Sequence, residues 1–353
     1  MNAIKIVGVG SYIPDIIKKN KDFLENEFYN QDETVFDAEP EVIIKKFKAI
    51  TGIEERRYVN DTLKTSDIAS LAAERAIKDA NIDQETLNYI IVAHNFGDVG
   101  HNKQQADTVP SLASRVKEKL QINNPNCVAY DVLFGCPGWI EGCIQSLAFM
   151  KAGMAKRCLI IGAETLSRVV DPNDRDSMIY SDGAGATLLE LTDSTGGILS
   201  HKSATYAKTE ANYIYFDKSF SPHREDDRAY IKMYGRKIYN FALSHVPEAM
   251  KACLDDSGKS INNLKKIFIH QANEKMDEAI VQRFYKLYKQ DMPKDIMPMS
   301  INKLGNSSVA TIPTLYNMFL NGEFEQERLQ PGDTIMFASV GAGMNINAIV
   351  YEI

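Results

Sequence analysis

Short apolar runs alternate with amphipathic stretches along the whole chain. Lys5–Gly10 reads as a strand leading into a turn. Thr65–Ala80 (TSDIASLAAERAIKDA) carries apolar residues at helical spacing, opens on Thr and Ser, and puts Asp67 near its start, which predicts an amphipathic helix. Asn88–Ala93, Cys127–Val132, Cys158–Ala163 and Gly183–Leu191 predict buried strands, with helices over Pro110–Leu120 and Trp139–Ala152. The second half repeats the style. A long helix lies within Tyr230–Asp255, and helices follow at Glu274–Tyr288 and Ser308–Asn321. Lys266–His270, Thr334–Ser339 and Asn345–Glu352 predict strands. Apolar strands separated by helices imply a largely parallel sheet covered on both faces, so the class is α/β. The break at Thr195–Gly197 predicts two halves, 1–195 and 196–353, alike in pattern without a tandem repeat. Asn20–Lys46 is polar and acidic and reads as a partly helical surface insertion of little information.

Length and composition narrow this picture. A chain of 353 residues is long for one core and suits two domains or two fused halves. A net charge of −7 disfavours general nucleic-acid binding, because the phosphate backbone repels it. No apolar run approaches the roughly 20 residues that span a bilayer, and the N-terminus lacks signal-peptide features. Five cysteines are scattered without CxxC pairs or zinc-ligand spacing, which implies free thiols in a reducing, cytoplasmic setting.

Candidate chemistry sits in four segments. In Asp131-Val-Leu-Phe-Gly-Cys-Pro-Gly-Trp139 a strand enters a tight turn and a helix begins at Pro137. Cys136 therefore stands at or just before a helix N-terminus, where free N–H groups and the helix dipole favour a thiolate. A lone cysteine is more often a small core residue, but this context brings the two readings level. His270 ends the apolar strand of Ile267-Phe-Ile-His-Gln-Ala-Asn273, at the sheet edge where ligands bind in open α/β folds. His94 also follows an apolar strand, so position alone does not single out His270. Asn306, within Lys303-Leu-Gly-Asn-Ser-Ser-Val-Ala-Thr-Ile-Pro313, is by itself most simply a turn or cap residue. Ser339-Val-Gly-Ala-Gly-Met344 is a small-residue turn between strands and lacks the helix and third glycine of a dinucleotide fingerprint.

Taken in order, these segments resemble the ketoacyl-acyl-carrier-protein synthase III family of thiolase-like condensing enzymes. Gly-Cys-Pro-Gly-Trp is similar to the nucleophile motif, and His-Gln-Ala-Asn and Gly-Asn-Ser-Ser-Val-Ala-Thr-Ile-Pro to the other two active-site motifs. Asp171-Pro-Asn-Asp-Arg175, Asp182-Gly-Ala-Gly-Ala186 and Met233-Tyr-Gly-Arg-Lys-Ile-Tyr239 resemble further family segments. Cys-His-Asn marks the type III group, whereas Cys-His-His marks the long-chain synthases. The resemblance implies a five-layered α/β/α/β/α fold and a homodimer. It implies an acyl group carried on Cys136 and passed to a decarboxylating malonyl thioester. His270 and Asn306 would hold the malonyl thioester oxygen, and the backbone N–H groups of Cys136 and Ala342 would form the oxyanion hole. Partners would be acyl carrier protein and acyl-CoA, with no metal and no cofactor.

The match has departures. The family's Trp and Arg before Thr-Gly-Ile fall here on Lys46 and Ile50, so the primer is either an acyl-CoA held differently or an acyl-carrier-protein thioester. Val109, before Pro110-Ser111, stands where the family lines the partner's acyl pocket, and its small size implies a primer longer than acetyl. Lys275 stands where a basic residue docks the carrier protein, and is equally a solvated helix lysine. The rivals are a sister ketosynthase of secondary metabolism, a hydroxymethylglutaryl-CoA synthase, a non-catalytic partner subunit and a thiol hydrolase. No acid beside the cysteine is evident for the second, since Glu141 lies inside the following helix.

Overall fold

The computed structural model describes residues 2–103, 105–224, 227–325 and 328–353. In chain order the elements are β1 (Ala3–Tyr12), β2 (Ile16–Lys19), α1 (Pro40–Thr51), β3 (Glu55–Tyr58), α2 (Thr65–Ala80), β4 (Tyr89–Ala93), α3 (Leu112–Lys119), β5 (Val128–Val132), α4 (Gly138–Lys151), β6 (Arg157–Thr165) and β7 (Asp182–Thr192). The second half continues with β8 (Gly197–Thr205), β9 (Ile214–Asp217), β10 (Tyr230–Met233), α5 (Gly235–Asp256), β11 (Leu264–Ile269), α6 (Glu274–Leu287), α7 (Ile301–Leu304), α8 (Thr311–Leu320), β12 (Thr334–Gly341) and β13 (Asn345–Glu352).

Two sheets carry the fold. The first has the order β1-β7-β6-β4-β5 and the second β11-β12-β13-β8. Three apolar clusters arrange helices around them. Ile68 and Ala72 of α2 and Leu112 of α3 pack on one face of the first sheet. Trp139 of α4 and Leu315 of α8 fill the space between the sheets, against Ile160 and Leu189 on one side and Phe337 and Ile349 on the other. Val246 of α5 and Phe284 of α6 cover the far face of the second sheet. The result is the expected five-layered α/β/α/β/α arrangement, a thiolase-like fold. The central layer is enclosed on both faces, which is why α4 is apolar nearly all round. Its buried Trp139 donates its indole N–H to Thr187 at 3.2 Å.

The sheets are not largely parallel, contrary to the sequence pattern. β4 pairs in parallel with β5 and β6, and β11 with β12, while the β1–β7, β6–β7, β12–β13 and β13–β8 pairs are antiparallel. A strand between two helical layers is apolar on both faces whichever way its neighbours run, so composition does not report direction.

The insertion is not peripheral either. Phe23, Phe28 and Ile43 are buried together with Met178. Arg56 of β3 is buried beneath it and donates to Met178 O, Lys18 O and Asn20 Oδ1. A second brace lies opposite. Lys232 of β10 is fully buried between Asp171 and Asp174, at 2.5 and 3.3 Å. It fixes the β9–β10 ribbon against Val170 over the ends of the first sheet.

Candidate active site

The strand β5 ends at Val132, and the chain turns through Gly135 (φ +65°) to place Cys136 two residues before α4. Pro137 occupies the cap position with helical angles, so the cysteine leads directly into the helix start. The turn after β12 presses against this loop. A Cβ at Gly341 would lie 2.5 Å from the Cys136 backbone nitrogen, so only glycine permits the approach. Two asparagines of β13 lock the arrangement. Asn345 Nδ2 donates to Ala342 O at 2.9 Å, and Asn347 Nδ2 to Pro137 O at 2.9 Å. The backbones of Cys136 and Ala342 are thus neighbours on one wall.

His270 follows the last residue of β11, and its backbone N–H donates to Ala338 O in β12. Asn306 follows α7 and bridges to Tyr180. Its Oδ1 accepts from Ser308 N at 2.8 Å, which turns the amide Nδ2 away from that contact. Cys136, His270, Asn306, Gly341 and Ala342 all line one cavity of about 400 Å³. Most of its remaining wall is apolar, including Phe96, Leu166, Ile214, Phe216, Ile231 and Met344. A second cavity of about 470 Å³ shares Met233, Ile238, Ala272, Met276 and Asn306 with the first. It is lined further out by Phe36, Lys46, Phe47, Ile50, Arg175 and Arg236. The insertion therefore forms part of the approach to Cys136. Arg175 stacks on Phe36 there, 4.4 Å from the ring centre.

Burial shapes the proton chemistry. Cys136 keeps some surface open to the cavity, yet its enclosure pushes the thiol up to about 11. Nearby Glu164 acts in the same direction, and a hydrogen bond from Ser308 acts against both. The helix start thus works against a desolvation that residue spacing does not reveal. Burial alone lowers His270 to about 4, so its imidazole is neutral at pH 7. A neutral ring is an N–H donor to a developing oxyanion that adds no charge of its own. The unfolded ring takes its proton near 6.5 and the folded one only near 4, so stability is complete above 6.5 and falls as pH drops towards 4. Urea unfolding of wild type and His270→Asn at pH 7 and pH 5 checks this. The wild type loses about 2 kcal/mol more than the variant between those pH values.

The other sequence candidates separate from this centre. His94 is a satisfied core histidine. Its Nδ1 accepts from Gly97 N, so Nε2 donates to Asp131 Oδ2 at 3.0 Å, and Asp131 also accepts the first N–H groups of α3. Glu141 accepts from Ser203 and points away. Lys275 is exposed in the first turn of α6, two residues after Asn273 of the second cavity. Val109 is 85% exposed and does not line its own chain's cavity. Sequence reasoning missed Glu164, a carboxyl 1% exposed inside β6 that burial pushes up to about 8. It corrects the expectation that no acid lies near the cysteine. It stands behind Asn95 and does not line the cavity. Among the described residues no group of three or more His, Cys, Asp or Glu side chains is placed to hold a metal ion, and no helix is long and apolar enough to cross a membrane.

Comparison with known proteins shows the family and the fold. The chain matches the family described as 3-oxoacyl-[acyl-carrier-protein (ACP)] synthase III over residues 130–207, and its C-terminal counterpart over 254–353. It is 32% identical to the beta-ketoacyl-[acyl-carrier-protein] synthase III of Clostridium beijerinckii, covering all of both chains. The crystal structure of 3-oxoacyl-[acyl-carrier-protein] synthase III from Aquifex aeolicus superposes with a TM-score of 0.81 at 27% identity, covering 99% of this chain and 100% of that one. The priming beta-ketosynthase of the R1128 polyketide pathway shares the fold, with a TM-score of 0.80 at 21% identity over 99% and 96% of the two chains.

Proposed function

The chain belongs to the 3-oxoacyl-[acyl-carrier-protein] synthase III family, condensing acyltransferases that initiate fatty acid synthesis, and from that premise we propose how its own residues divide the work. Such enzymes work on acyl-CoA and acyl-carrier-protein substrates and need no further cofactor. Cys136 takes the acyl group from the primer thioester, and its proton leaves with the departing thiol. Malonyl thioester then loses carbon dioxide, and the charge that develops on its thioester oxygen is met by the His270 N–H and the Asn306 Nδ2–H. The enolate carbon attacks the Cys136 thioester. Oxyanion charge in both acyl transfers falls to the backbone N–H groups of Cys136 and Ala342. Expulsion of the Cys136 thiolate, which takes up a proton, frees the 3-oxoacyl product. The observation that carries this reading is the convergence of Cys136, His270, Asn306 and the Ala342 turn, from four separate segments, on one cavity.

The thioester arm reaches Cys136 through the second cavity. The cations Lys46, Arg175 and Arg236 at its outer part favour a phosphate-bearing arm, and Lys275 beside it favours the acidic carrier protein. The inner cavity takes the primer. An acetyl group, about the size of two waters at roughly 30 Å³ each, would leave most of about 400 Å³ unfilled. A primer longer than acetyl fits better, which also agrees with the small Val109. Two copies of the chain, each built of halves 1–195 and 196–353, associate as a homodimer through β5. That strand ends the first sheet, and Val128, Leu133 and Val109 are exposed large apolar side chains around it. Across such a two-fold, Val109 of each chain meets the partner's pocket. Five free cysteines accord with a cytoplasmic setting.

Turnover of acetyl- to dodecanoyl-CoA with malonyl-acyl carrier protein tests this reading, followed by mass detection of 3-oxoacyl product. The fastest primer is expected to be longer than acetyl. Product from acetyl alone would refute the primer assignment. Absence of product from CoA-borne and carrier-borne primers alike would favour a non-catalytic partner subunit.

A further inference from the structure

The nucleophile has a polar support behind it that the steps above do not use. Ser308 Oγ donates to Cys136 Sγ at 3.3 Å. Asn95, at the end of β4, gives Nδ2 to Ser308 Oγ at 3.1 Å and to Glu164 Oε1 at 2.5 Å. The directions are mutually fixing. Glu164 Oε1 accepts from the Asn95 amide, which therefore presents Nδ2 on this side. The second hydrogen of that nitrogen occupies a lone pair of the Ser308 hydroxyl. The hydroxyl proton is left to point at sulfur.

The backbone supplies a second, independent observation. Ser308 holds φ at +52°, a left-handed conformation that side-chain-bearing residues rarely adopt and glycine adopts freely. Strain of this kind persists where surrounding structure enforces it, and it clusters at functional positions. Here the enforcement is visible: the Val309 carbonyl is pressed onto β6 at Gly162, where any Cβ would collide with it. A serine that keeps a strained backbone while aiming its hydroxyl at the nucleophile is placed for the sulfur.

We propose that Ser308 is a further catalytic residue, whose hydroxyl stabilises the Cys136 thiolate both when it attacks and when it is expelled, with Asn95 and Glu164 as its positioning residues. The inference rests on Cys136 being the nucleophile. The ionisable groups facing the sulfur are Glu164 from β6, Tyr180 and, across the cavity, His270. Among the described residues Ser308 is the side chain that hydrogen-bonds the sulfur, beside a backbone N–H of Cys136 itself. The contact holds with Glu164 ionised, and with it protonated on Oε2, since Oε1 accepts in both forms.

Ser308→Gly removes the hydroxyl and relieves the backbone, so the fold is preserved by design. The test is the pH profile of iodoacetamide alkylation of the Cys136 peptide in the full chain, read by mass. It needs no acyl substrate, so its outcome is separable from the outcome for the overall reaction. A donor to a charged acceptor is worth about one to two pH units of thiol acidity, so alkylation at pH 7 should slow ten- to a hundredfold. Melting temperature should stay equal or rise. Asn95→Ala, which frees the hydroxyl to turn, should shift the profile the same way by less. An alkylation profile in Ser308→Gly that superimposes on wild type would overturn the proposal, as would a shift in Asn95→Ala larger than in Ser308→Gly.

Discussion

Cys136→Ala should abolish condensation, by at least about 10³-fold, while leaving malonyl decarboxylation in place. The two half-reactions use different groups. Acyl transfer needs the sulfur, which forms and later breaks the thioester bond. Loss of carbon dioxide needs only donors to the malonyl thioester oxygen, and those are assigned to His270 and Asn306 on other segments of the wall. Alanine at 136 keeps the backbone N–H and the start of α4, so the cavity persists. The variant is therefore expected to convert malonyl-acyl carrier protein into acetyl-acyl carrier protein without forming any 3-oxoacyl product. Mass spectrometry of the carrier protein distinguishes the two. Loss of decarboxylation together with condensation would mean that the sulfur takes part in both steps.

The converse variants carry the second large effect. His270→Ala and Asn306→Ala should each slow decarboxylation and condensation about 10²- to 10³-fold, the usual consequence of removing one aimed donor. Both should still accept an acyl group on Cys136, because neither residue serves the first transfer. Burial holds His270 neutral down to about pH 4, so this loss should not vary across pH 6–9. Rates of acyl loading and of product formation, measured separately on the same variants, check the division. Equal loss in both rates would merge the two roles.

Much of this centre was legible in the chain. Thr65–Ala80 is a helix over its predicted span, because its apolar spacing and its Asp67 cap agree. The turn before Cys136 and the strand before His270 were legible for the same reason: Gly, Pro and a β-rich apolar run each fix local geometry. Strand direction was not, since buried strands of either sense are apolar on both faces. β8 was hidden because it begins inside the DSTGG break and its outer half, residues 201–205 (HKSAT), is largely polar and nowhere buried. The insertion misled because Phe23, Phe28 and Ile43 are too widely spaced to give a period, although they meet in space. Glu164 and Ser308 were invisible for a different reason. Their importance lies in Asn95 bringing β4, β6 and the Ser308 turn together, and no spacing within one segment encodes that contact.

The most direct test of the account is intact-protein mass after mixing wild type and Cys136→Ala with acyl-CoAs from acetyl to dodecanoyl. The account predicts one acyl adduct on wild type, none on Cys136→Ala, and the fullest loading by a primer longer than acetyl. An adduct of equal size on both proteins would place the acyl group elsewhere and contradict Cys136 as the nucleophile.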